Sequence, residues 1–502
     1  MKLSENNIRL IFGLKLKQLR LDKNLSLSEL AKRSSLSVSY LNEIENGKKN
    51  PKRDKTASLA KVLDVPYDEL VSLKLTKSLA PIGDLLESNI LEQLPLDHYG
   101  IDVHKLLLQI SQAPLQLSAL VSTLIELAKS LELSENNFSK TAIRTYKELN
   151  ENYFPELEDA VEKFCRKVKF NNKPPVMFNE LLKVFTGELK YTIDEDSIPD
   201  TPEFANVRGI NIPARKGKKL LINKKLTDSQ KAFIIGKEIA YNYLNITDRT
   251  QIYSDLSLDS FDQLLNNLKA SYFSTALIIN KKELIGDLTK FFAKKNFDGD
   301  FLLSLLDKYN ISPEMLFQRI TNILSRYFNI SSFFFLRFNS EVNSDVFHLS
   351  KEMRLNTKEN PGGYMTTEHY CRRWVSIRLI KELEKLQSKS RAFQKPIAGI
   401  QKSTFINSNN EYLNISVAKN TALSKKSNYS VTLGFLLNDE LKNKINFWND
   451  PTIPVKVVND TCERCHLADC KERVAPPVMY EKNLQLEKLW QDIRKLISNS
   501  LV

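Results

Sequence analysis

The residues best suited to chemistry in this chain are three cysteines near its carboxyl end. Cys462, Cys465 and Cys470 have C-x2-C-x4-C spacing, so three of the five cysteines fall within nine residues. Five cysteines in 502 residues are too few for a disulfide framework, and clustered thiolates are then typical metal ligands. Cys371 offers a fourth thiolate, and four thiolates suit either a structural Zn²⁺ ion or an iron–sulfur cluster. The spacing leaves both open.

Two other residues bear on the ligand set. His466 lies between Cys465 and Cys470 and is a competing ligand. Cys165 stands alone in a predicted helix over residues 162–168, where an unligated thiol is the simpler interpretation. Unligated surface thiols are also the alternative for the cluster itself, although such clustering is unusual without a ligand role.

The second pattern with a chemical role is a helix-turn-helix over residues 26–47, SLSELAKRSSLSVSYLNEIENG. Ser26 and Glu29 have capping-box spacing, which predicts one helix, and Ser37 can cap a second helix that ends near Glu45. The alternative is a helical hairpin that only packs. A helix-turn-helix makes double-stranded DNA the first partner to consider.

The second helix of such a motif places its N-terminal residues against base edges in the major groove. Leu41 and Ile44 should face the core, which leaves the opposite face, Val38, Ser39, Asn42 and Glu43, exposed. An asparagine there can pair bidentately with adenine. The full set of residues predicted to contact DNA is Ser28, Val38, Ser39, Tyr40, Asn42, Glu43, Lys48 and Lys49.

The charge distribution agrees with a polyanionic partner. The formal net charge is +13, and residues 1–80 hold 16 Lys and Arg against 9 Asp and Glu. The densest basic run follows the predicted recognition helix, and phosphate contacts from it would give affinity and salt dependence without sequence choice. A solvated loop is the alternative. The run consists of Lys48, Lys49, Lys52, Arg53 and Lys55.

The segments on either side of the motif also fit a small helical domain. Leucines and isoleucines between residues 11 and 19 predict an opening helix that carries Lys15, Lys17 and Arg20 on its solvent side. Residues 56–63 and 66–71 predict two more short helices. The segment 8–73 resembles the Xre/Cro-type repressor fold, in which the turn usually holds glycine where this chain has Ser35.

The rest of the chain predicts a multidomain protein. Its 42% apolar and 26% charged residues are typical of soluble globular proteins. No apolar run is long enough to span a membrane and the first ten residues are not a signal peptide, so a cytoplasmic protein is expected. The predicted domains are an all-α helix-turn-helix domain at 1–75, a helical linker or dimerisation segment at 76–150, a mainly α domain at 151–290, and an α+β domain with an antiparallel sheet at 291–502.

The helix predicted over residues 227–244 resembles the zinc-binding helix of ImmA/IrrE-like metallopeptidases, a zincin-like fold. That family has His-Glu-x-x-His, whereas here Lys237 and Tyr241 stand at the two histidine positions and only Glu238 remains. The downstream segment 269–280 resembles the second signature, without the acidic third ligand ahead of it. Because a catalytic zinc site needs about three protein ligands, the sequence predicts a pseudo-peptidase domain and a protein that is not an enzyme.

With these parts together, the chain resembles the short-chain fatty acyl transcriptional regulators along nearly its full length. The resemblance rests on the cysteine spacing followed by Arg473 and two prolines, on Cys371 with Trp374, and on the strand FFFLRF at 333–338. It implies that Cys371, Cys462, Cys465 and Cys470 hold a [4Fe–4S] cluster. It also implies a C-terminal domain that senses a small molecule, a short-chain acyl-coenzyme A in that family.

The phosphates of such an effector would need basic residues. Arg372, Arg373 and Arg378 lie near the predicted cluster ligands, with a solvated helix face as the alternative. The sequence thus predicts a one-component regulator that binds operator DNA as a homodimer and senses a metabolite or redox state. Two alternatives are a regulator with a purely structural zinc site and a helix-turn-helix-coupled metallopeptidase, whose zinc ligands are missing.

Overall fold

A computed structural model of the chain divides it into two compact units, Met1–Ile143 with Ser257–Leu264 and Arg144–Leu256 with Leu265–Val502. The predicted linker or dimerisation segment at 76–150 lies outside the described residues up to residue 134. The structure describes residues 5–72, 135–204, 206–214, 217–254, 260–356, 368–390, 393–406, 408, 410–421 and 427–500.

Residues 5–72 form a helical domain, as predicted. Its helices are α1 Glu5–Asp22, α2 Leu27–Ser34, α3 Val38–Glu45, α4 Arg53–Leu63 and α5 Tyr67–Val71. They enclose one apolar core because each helix has apolar residues on one face. The core residues with no exposed surface are Leu16, Leu30, Leu41, Ile44, Leu59, Leu63 and Leu70.

The described helices beyond residue 134 differ widely in length. They are α6 Glu135–Leu149, α7 Pro155–Lys167, α8 Phe178–Gly187, α9 Asp228–Tyr243, α10 Phe261–Ile278, α11 Lys281–Phe292, α12 Gly299–Tyr309, α13 Pro313–Ile323, α14 Val375–Lys389, α15 Asp439–Lys442 and α16 Val478–Ser500. Within the described part of the chain, no helix has the length and apolar content needed to cross a bilayer.

In the part of the chain that the structure describes, ten strands form two sheets. The strands are β1 Tyr191–Asp194, β2 Gly209–Ala214, β3 Gly217–Ile222, β4 Ile252–Tyr253, β5 Phe333–Glu341, β6 His348–Leu355, β7 Ile397–Phe405, β8 Glu411–Asn420, β9 Ser427–Leu436 and β10 Val455–Val458. The first sheet has the order β1-β3-β2-β4 and the second β10-β7-β8-β9-β5-β6. The larger sheet is antiparallel, as expected, except where β10 pairs with β7 in parallel.

The second unit has one large apolar core and smaller apolar clusters beside it. The core runs from Phe154 to Ile453 and joins the helices around the small sheet to the larger sheet. α14 contacts β8 and β9, while α13 contacts β9 and β5, so the central strands are nearly continuously buried. The predicted boundary between residues 290 and 291 falls inside α11, whose Phe291 is a core residue. The division into domains 151–290 and 291–502 stays a prediction.

Candidate DNA-binding and metal-binding sites

α2 and α3 form the helix-turn-helix, and side-chain caps fix where each helix begins. The Ser26 hydroxyl accepts a hydrogen bond from the Glu29 amide at 3.1 Å, and the Glu29 carboxylate accepts one from the Ser26 amide at 2.7 Å. The Ser37 hydroxyl accepts one from the Tyr40 amide at 3.2 Å. These caps satisfy amides that have no partner inside a helix. The predicted bounds of both helices are confirmed.

The turn between the helices passes through Ser35 in the left-handed conformation, with φ of 56° and ψ of 33°. This conformation costs a residue with a Cβ atom about 1–2 kcal/mol, which explains why related domains use glycine there. The turn is held by the Leu36 amide, which donates to the Ala31 carbonyl at 3.1 Å. The departure from glycine therefore leaves the motif intact.

Two basic residues of α1 that were predicted on its solvent side are buried, so that prediction was wrong. Arg20 is 9% exposed and makes two hydrogen bonds to the Glu45 carboxylate, at 2.6 and 2.9 Å. Lys15 is 7% exposed and donates to Ser72 and to the Glu69 carbonyl. Both side chains find partners on distant helices, which compensates for the cost of burying their charge.

The predicted recognition face is open to solvent. Val38 is 43% exposed, Ser39 and Asn42 are exposed, and Glu43 is partly exposed, whereas Leu41 and Ile44 are fully buried. The remaining predicted DNA contacts also lie on the surface of the domain: Ser28, Lys48 and Lys49 are exposed and Tyr40 is half-buried.

Contacts among these residues orient the polar groups of the recognition face. The Asn46 side chain donates to the Asn42 side-chain oxygen at 3.0 Å and to its carbonyl at 2.7 Å. These bonds use the oxygens of Asn42, so its amide nitrogen keeps its two donors and its side-chain oxygen keeps a second lone pair. Asn46 was not predicted as a site residue, because its role depends on its position one turn after Asn42.

Basic residues flank Tyr40 beside this face. The Lys49 and Lys55 ammonium groups lie 5.8 and 4.5 Å from the centre of the Tyr40 ring, within the range of cation–π attraction. Lys49 also pairs with Glu43 at 2.7 Å. Lys48 remains exposed. Lys55 belonged to the basic run in the sequence, but only the fold places it against Tyr40.

All four predicted cysteine ligands lie around one depression in the second unit. Cys371 precedes α14, while Cys462, Cys465 and Cys470 follow β10. Backbone pairing brings these two segments together: the Cys371 amide donates to the Asp460 carbonyl at 3.1 Å, and the Cys462 amide donates to the His369 carbonyl at 2.8 Å. The fourth ligand chosen from the sequence is therefore beside the other three, although it is 91 residues away from Cys462 along the chain.

Arg473 holds the cysteine loop in shape. One guanidinium nitrogen donates to the carbonyls of Cys462, at 2.9 Å, and Ala475, and the other donates to the carbonyls of Cys465, at 3.0 Å, and Leu467, at 2.6 Å. These bonds pin the backbone on both sides of two cysteines. Because the guanidinium is planar and rigid, a lysine cannot reproduce this set of contacts.

A second layer of contacts fixes the segment before Cys371. Arg464 makes a bidentate ion pair with Glu368, whose carboxylate also accepts from the Thr461 hydroxyl at 2.6 Å. The Trp374 ring nitrogen donates to the Asn459 carbonyl at 2.9 Å, and Trp374 is 6% exposed. Such outer contacts orient the ligands of metal centres.

The electrostatic surroundings of the cysteines are mainly basic. Arg372, Arg373 and Arg473 line the depression together with Glu472. Burial raises the pKa of the Cys371 thiol to about 11, so the free thiol is protonated at neutral pH and a bound metal would displace its proton. Burial also raises the pKa of Cys165 to about 11, and Cys165 lies on α7 away from the depression.

The geometry bears on which group this site can hold. Among the described residues, no three His, Cys, Asp or Glu side chains are close enough together to ligate one metal ion.

Of the three arginines predicted near an effector, Arg372 and Arg373 line the depression and Arg378 does not. Arg372 donates to the Tyr370 and Asp345 carbonyls. His466 faces Tyr480, with ring centres 5.7 Å apart.

The helix that resembles a zinc-binding helix, α9, carries a buried ion pair instead of a ligand set. Glu238 has no exposed surface and pairs with Arg249 at 2.8 Å. Its carboxylate also accepts hydrogen bonds from the hydroxyls of Tyr191 and Tyr253. Lys237, at the first histidine position, donates to the Asn267 side chain. Glu238 is thus fully engaged by protein groups.

The capped helix pair, its left-handed turn and its exposed second helix define a helix-turn-helix domain of the DNA-binding class. A family model described as Helix-turn-helix matches residues 16–70. The control protein C.BamHI of Bacillus amyloliquefaciens is 40% identical over 67 residues, which is 13% of this chain and 83% of that protein. This chain belongs to the helix-turn-helix family, and it is a DNA-binding regulator of the Xre type.

A solved structure of a Mycobacterium tuberculosis transcriptional regulator is also similar. The similarity covers 66% of this chain and 92% of that one, at 16% sequence identity and a TM-score of 0.45. The family assignment rests on the helix-turn-helix model and the control protein.

Proposed function

We propose that this protein is a one-component transcriptional regulator that binds operator DNA through α3 and holds a [4Fe–4S] cluster on Cys371, Cys462, Cys465 and Cys470. The observation that carries the cluster is the convergence of these four cysteines on one depression from two distant segments. A shared depression is not expected of four cysteines with unrelated roles.

On the DNA side, α3 lies in the major groove, with Ser39 and Asn42 reading base edges. This assignment is supported by their exposure and by the contact from Asn46 that orients Asn42. Ser28, Lys48 and Lys49 contact phosphates and supply affinity that does not depend on sequence. Two copies bind paired half-sites as a homodimer, which is the usual arrangement for this motif.

On the sensor side, the cluster is supported by the charge around the cysteines and by the contacts that fix them. Four thiolates on a cluster carry net negative charge, and three arginines line the same depression. A bound [4Fe–4S] cluster supplies one-electron redox chemistry and sensitivity to oxygen. The chain's own contribution is the Arg473 clamp and the buried thiol of Cys371, which keep the ligands in place.

A structural zinc ion is the alternative occupant of the cysteine site. A single tetrahedral zinc ion needs its four ligands within about 2.3 Å of one point, whereas a four-iron cluster needs only one thiolate on each iron. Both groups use four thiolates, so metal analysis distinguishes them.

We also propose that the second unit has no peptidase activity. Glu238, which would act as the base in a metallopeptidase, is instead held by Arg249 and two tyrosines. Lys237, which donates to the Asn267 side chain, stands where a metal ligand would be needed. In this proposal the second unit is a sensor that binds an effector. The proposed effector is a metabolite such as a short-chain acyl-coenzyme A.

The test of the cluster is metal analysis of full-length protein purified without oxygen. We expect brown protein with about four iron and four sulfide per chain, loss of both in Cys462→Ser, and retention of both in the matched variant Cys165→Ser. Colourless protein that contains one zinc per chain would support the structural alternative. The wild-type protein should bind DNA and should not cleave peptides in the presence of Zn²⁺.

A further inference from the structure

The helix α16, near the carboxyl end of the chain, has large apolar side chains that are open to solvent. Every residue from Glu481 to Asp492 is exposed, and Leu489 and Trp490 are 55% and 59% exposed. A helix in a folded protein gains most of its stability from the packing of an apolar face. A contiguous apolar face left open on a protein surface therefore indicates a contact with another molecule.

Four of these apolar residues lie on one face of the helix, and we name them the α16 stripe: Leu486, Leu489, Trp490 and Ile493. Their spacing is i, i+3, i+4 and i+7, which places them in one row along the helix. Leu486 is 45% exposed and Ile493 is half-buried. These two residues are seven apart with Leu489 between them, which is the spacing of the seam in a coiled coil. Leu484 lies on the opposite face, since two residues correspond to more than half a turn.

The start of α16 is anchored on the cysteine loop. The Met479 and Tyr480 amides both donate to the Glu463 carbonyl, each at 3.0 Å. Glu463 is 7% exposed, and its carboxylate accepts hydrogen bonds from the His369 amide at 3.0 and 3.2 Å. These contacts hold the first turn of α16 in place. The α16 stripe begins beyond this turn, at Leu486, so substitutions in the stripe leave the anchor unchanged.

The charges along α16 are unevenly distributed, and they favour a second copy of the same helix as its partner. Residues 478–487 carry a net charge of −1, whereas residues 488–495 carry a net charge of +2. Two copies that run in opposite directions place the acidic part of each helix beside the basic part of the other, and their helix dipoles attract. Two parallel copies would place like charges together. The charged residues are Glu481, Lys482 and Glu487 in the acidic part and Lys488, Asp492, Arg494 and Lys495 in the basic part.

We propose that α16 pairs with α16 of a second copy in antiparallel orientation, with the two α16 stripes buried against each other. A surface that pairs with its own copy about a two-fold axis must be self-complementary. The apolar stripe and the opposite charges at its two ends give α16 this property. The inference rests on the homodimer of the proposed function and names the surface that holds the two copies together. The stripe contains no residue of α3 and none of the four predicted cluster ligands.

The experiment is sedimentation velocity of full-length protein over a range of concentrations, with wild type, Leu489→Lys and Leu484→Lys compared. Leu489→Lys places a charge in the apolar seam, and a buried charge without a partner should weaken the dimer at least about 100-fold. Leu484→Lys is the matched control, because it makes the same change on the opposite face of the same helix, where Leu484 is 37% exposed. We expect the wild type and Leu484→Lys to be dimeric at concentrations where Leu489→Lys is monomeric.

A charge reversal at Glu487 tests the orientation of the two helices. In an antiparallel pair, Glu487 lies beside the basic part of the other copy, so Glu487→Lys replaces attraction with repulsion. We expect the dimer to weaken by about threefold or more, because exposed charge pairs are weak but two-fold symmetry changes two of them. In a parallel pair, Glu487 would face Glu487 of the other copy, and the repulsion would be the same before and after the substitution. An unchanged dimer affinity would therefore overturn the antiparallel arrangement.

The outcomes are separable from folding and from the proposed function. Because Leu489 and Leu484 are exposed within one chain, both lysine variants should fold, and a cooperative thermal transition in each variant checks this. A wild-type protein that stays monomeric at all concentrations would overturn both this inference and the proposed homodimer. If the wild type is dimeric and Leu489→Lys dimerises as tightly as Leu484→Lys, only this inference is overturned, and another surface holds the homodimer together.

Discussion

The buried ion pair between Arg20 and Glu45 gives a sharp test of how the DNA-binding domain is held together. The two side chains are 10% and 6% exposed, and the pair has two short hydrogen bonds. Removing one partner leaves a buried charge without compensation, which costs about 3–5 kcal/mol. We therefore expect Glu45→Ala to lower the free energy of opening of α3 by that amount, although neither residue lies on the recognition face.

The matched control is Glu43→Ala, which makes the same change two residues away on the same helix. Its side chain is 37% exposed and that of its partner Lys49 is 53% exposed, so solvent weakens this pair and its loss should matter little. Amide hydrogen exchange at Leu41, whose amide donates to the Ser37 carbonyl, reports the opening of α3. Exchange should accelerate by about 10²- to 10⁴-fold in Glu45→Ala and by less than about tenfold in Glu43→Ala. Equal effects in the two variants would refute the reasoning.

Four further predictions concern the DNA-binding face, the cysteine site and the buried Lys237. Asn42→Ala should reduce discrimination between operator and random DNA by about 1–3 kcal/mol in competition binding, and unchanged discrimination would remove Asn42 from base reading. Lys48→Ala should weaken binding to all sequences alike and make the slope of log affinity against log salt shallower by about 1; a change confined to the operator would contradict a phosphate contact. Arg473→Lys should weaken retention of the cluster about 10–100-fold in a chelator challenge, and normal retention would mean that the clamp is dispensable. Burial lowers the pKa of Lys237 from 10.5 to about 7, so the unfolded chain binds more protons between these values and the free energy of unfolding should rise from pH 7 to pH 9; Lys237→Met should flatten this rise in denaturant titrations, and an unaltered slope would count against a buried, neutral amine.

Local signals explain how much of the helix-turn-helix could be predicted. The caps at Ser26 and Ser37 act on amides two or three residues away, so sequence alone placed both helices correctly. The burial of Arg20 could not be predicted in this way, because its partner Glu45 is 25 residues away and belongs to another helix.

The candidate metal site could be predicted only in part from residues that are close together in the sequence. The spacing of Cys462, Cys465 and Cys470 singled them out directly, whereas the position of Cys371 beside them depends on pairing between segments 91 residues apart. Cys371 was available in the sequence as a fourth thiolate, and the resemblance to a known family implied that it belongs to the ligand set. The Arg473 clamp required the folded loop, since its partners are backbone carbonyls.

The contacts of α9 could not be predicted from the sequence for the same physical reason. The Lys237 side chain donates to the Asn267 side chain, 30 residues further along the chain and on α10, and only the fold brings these two helices together.

The central claim is that the cysteine site controls the helix-turn-helix. The most direct test is the affinity of full-length protein for its operator, measured at one salt concentration before and after anaerobic removal of the cluster with a chelator. The cluster can change DNA binding only if the protein conformations that bind and do not bind DNA hold it with different affinity. We therefore predict that removal of the cluster changes the affinity for the operator at least about fivefold, the lower end of ordinary coupling energies. Equal affinities of the cluster-loaded and cluster-free protein would contradict the account.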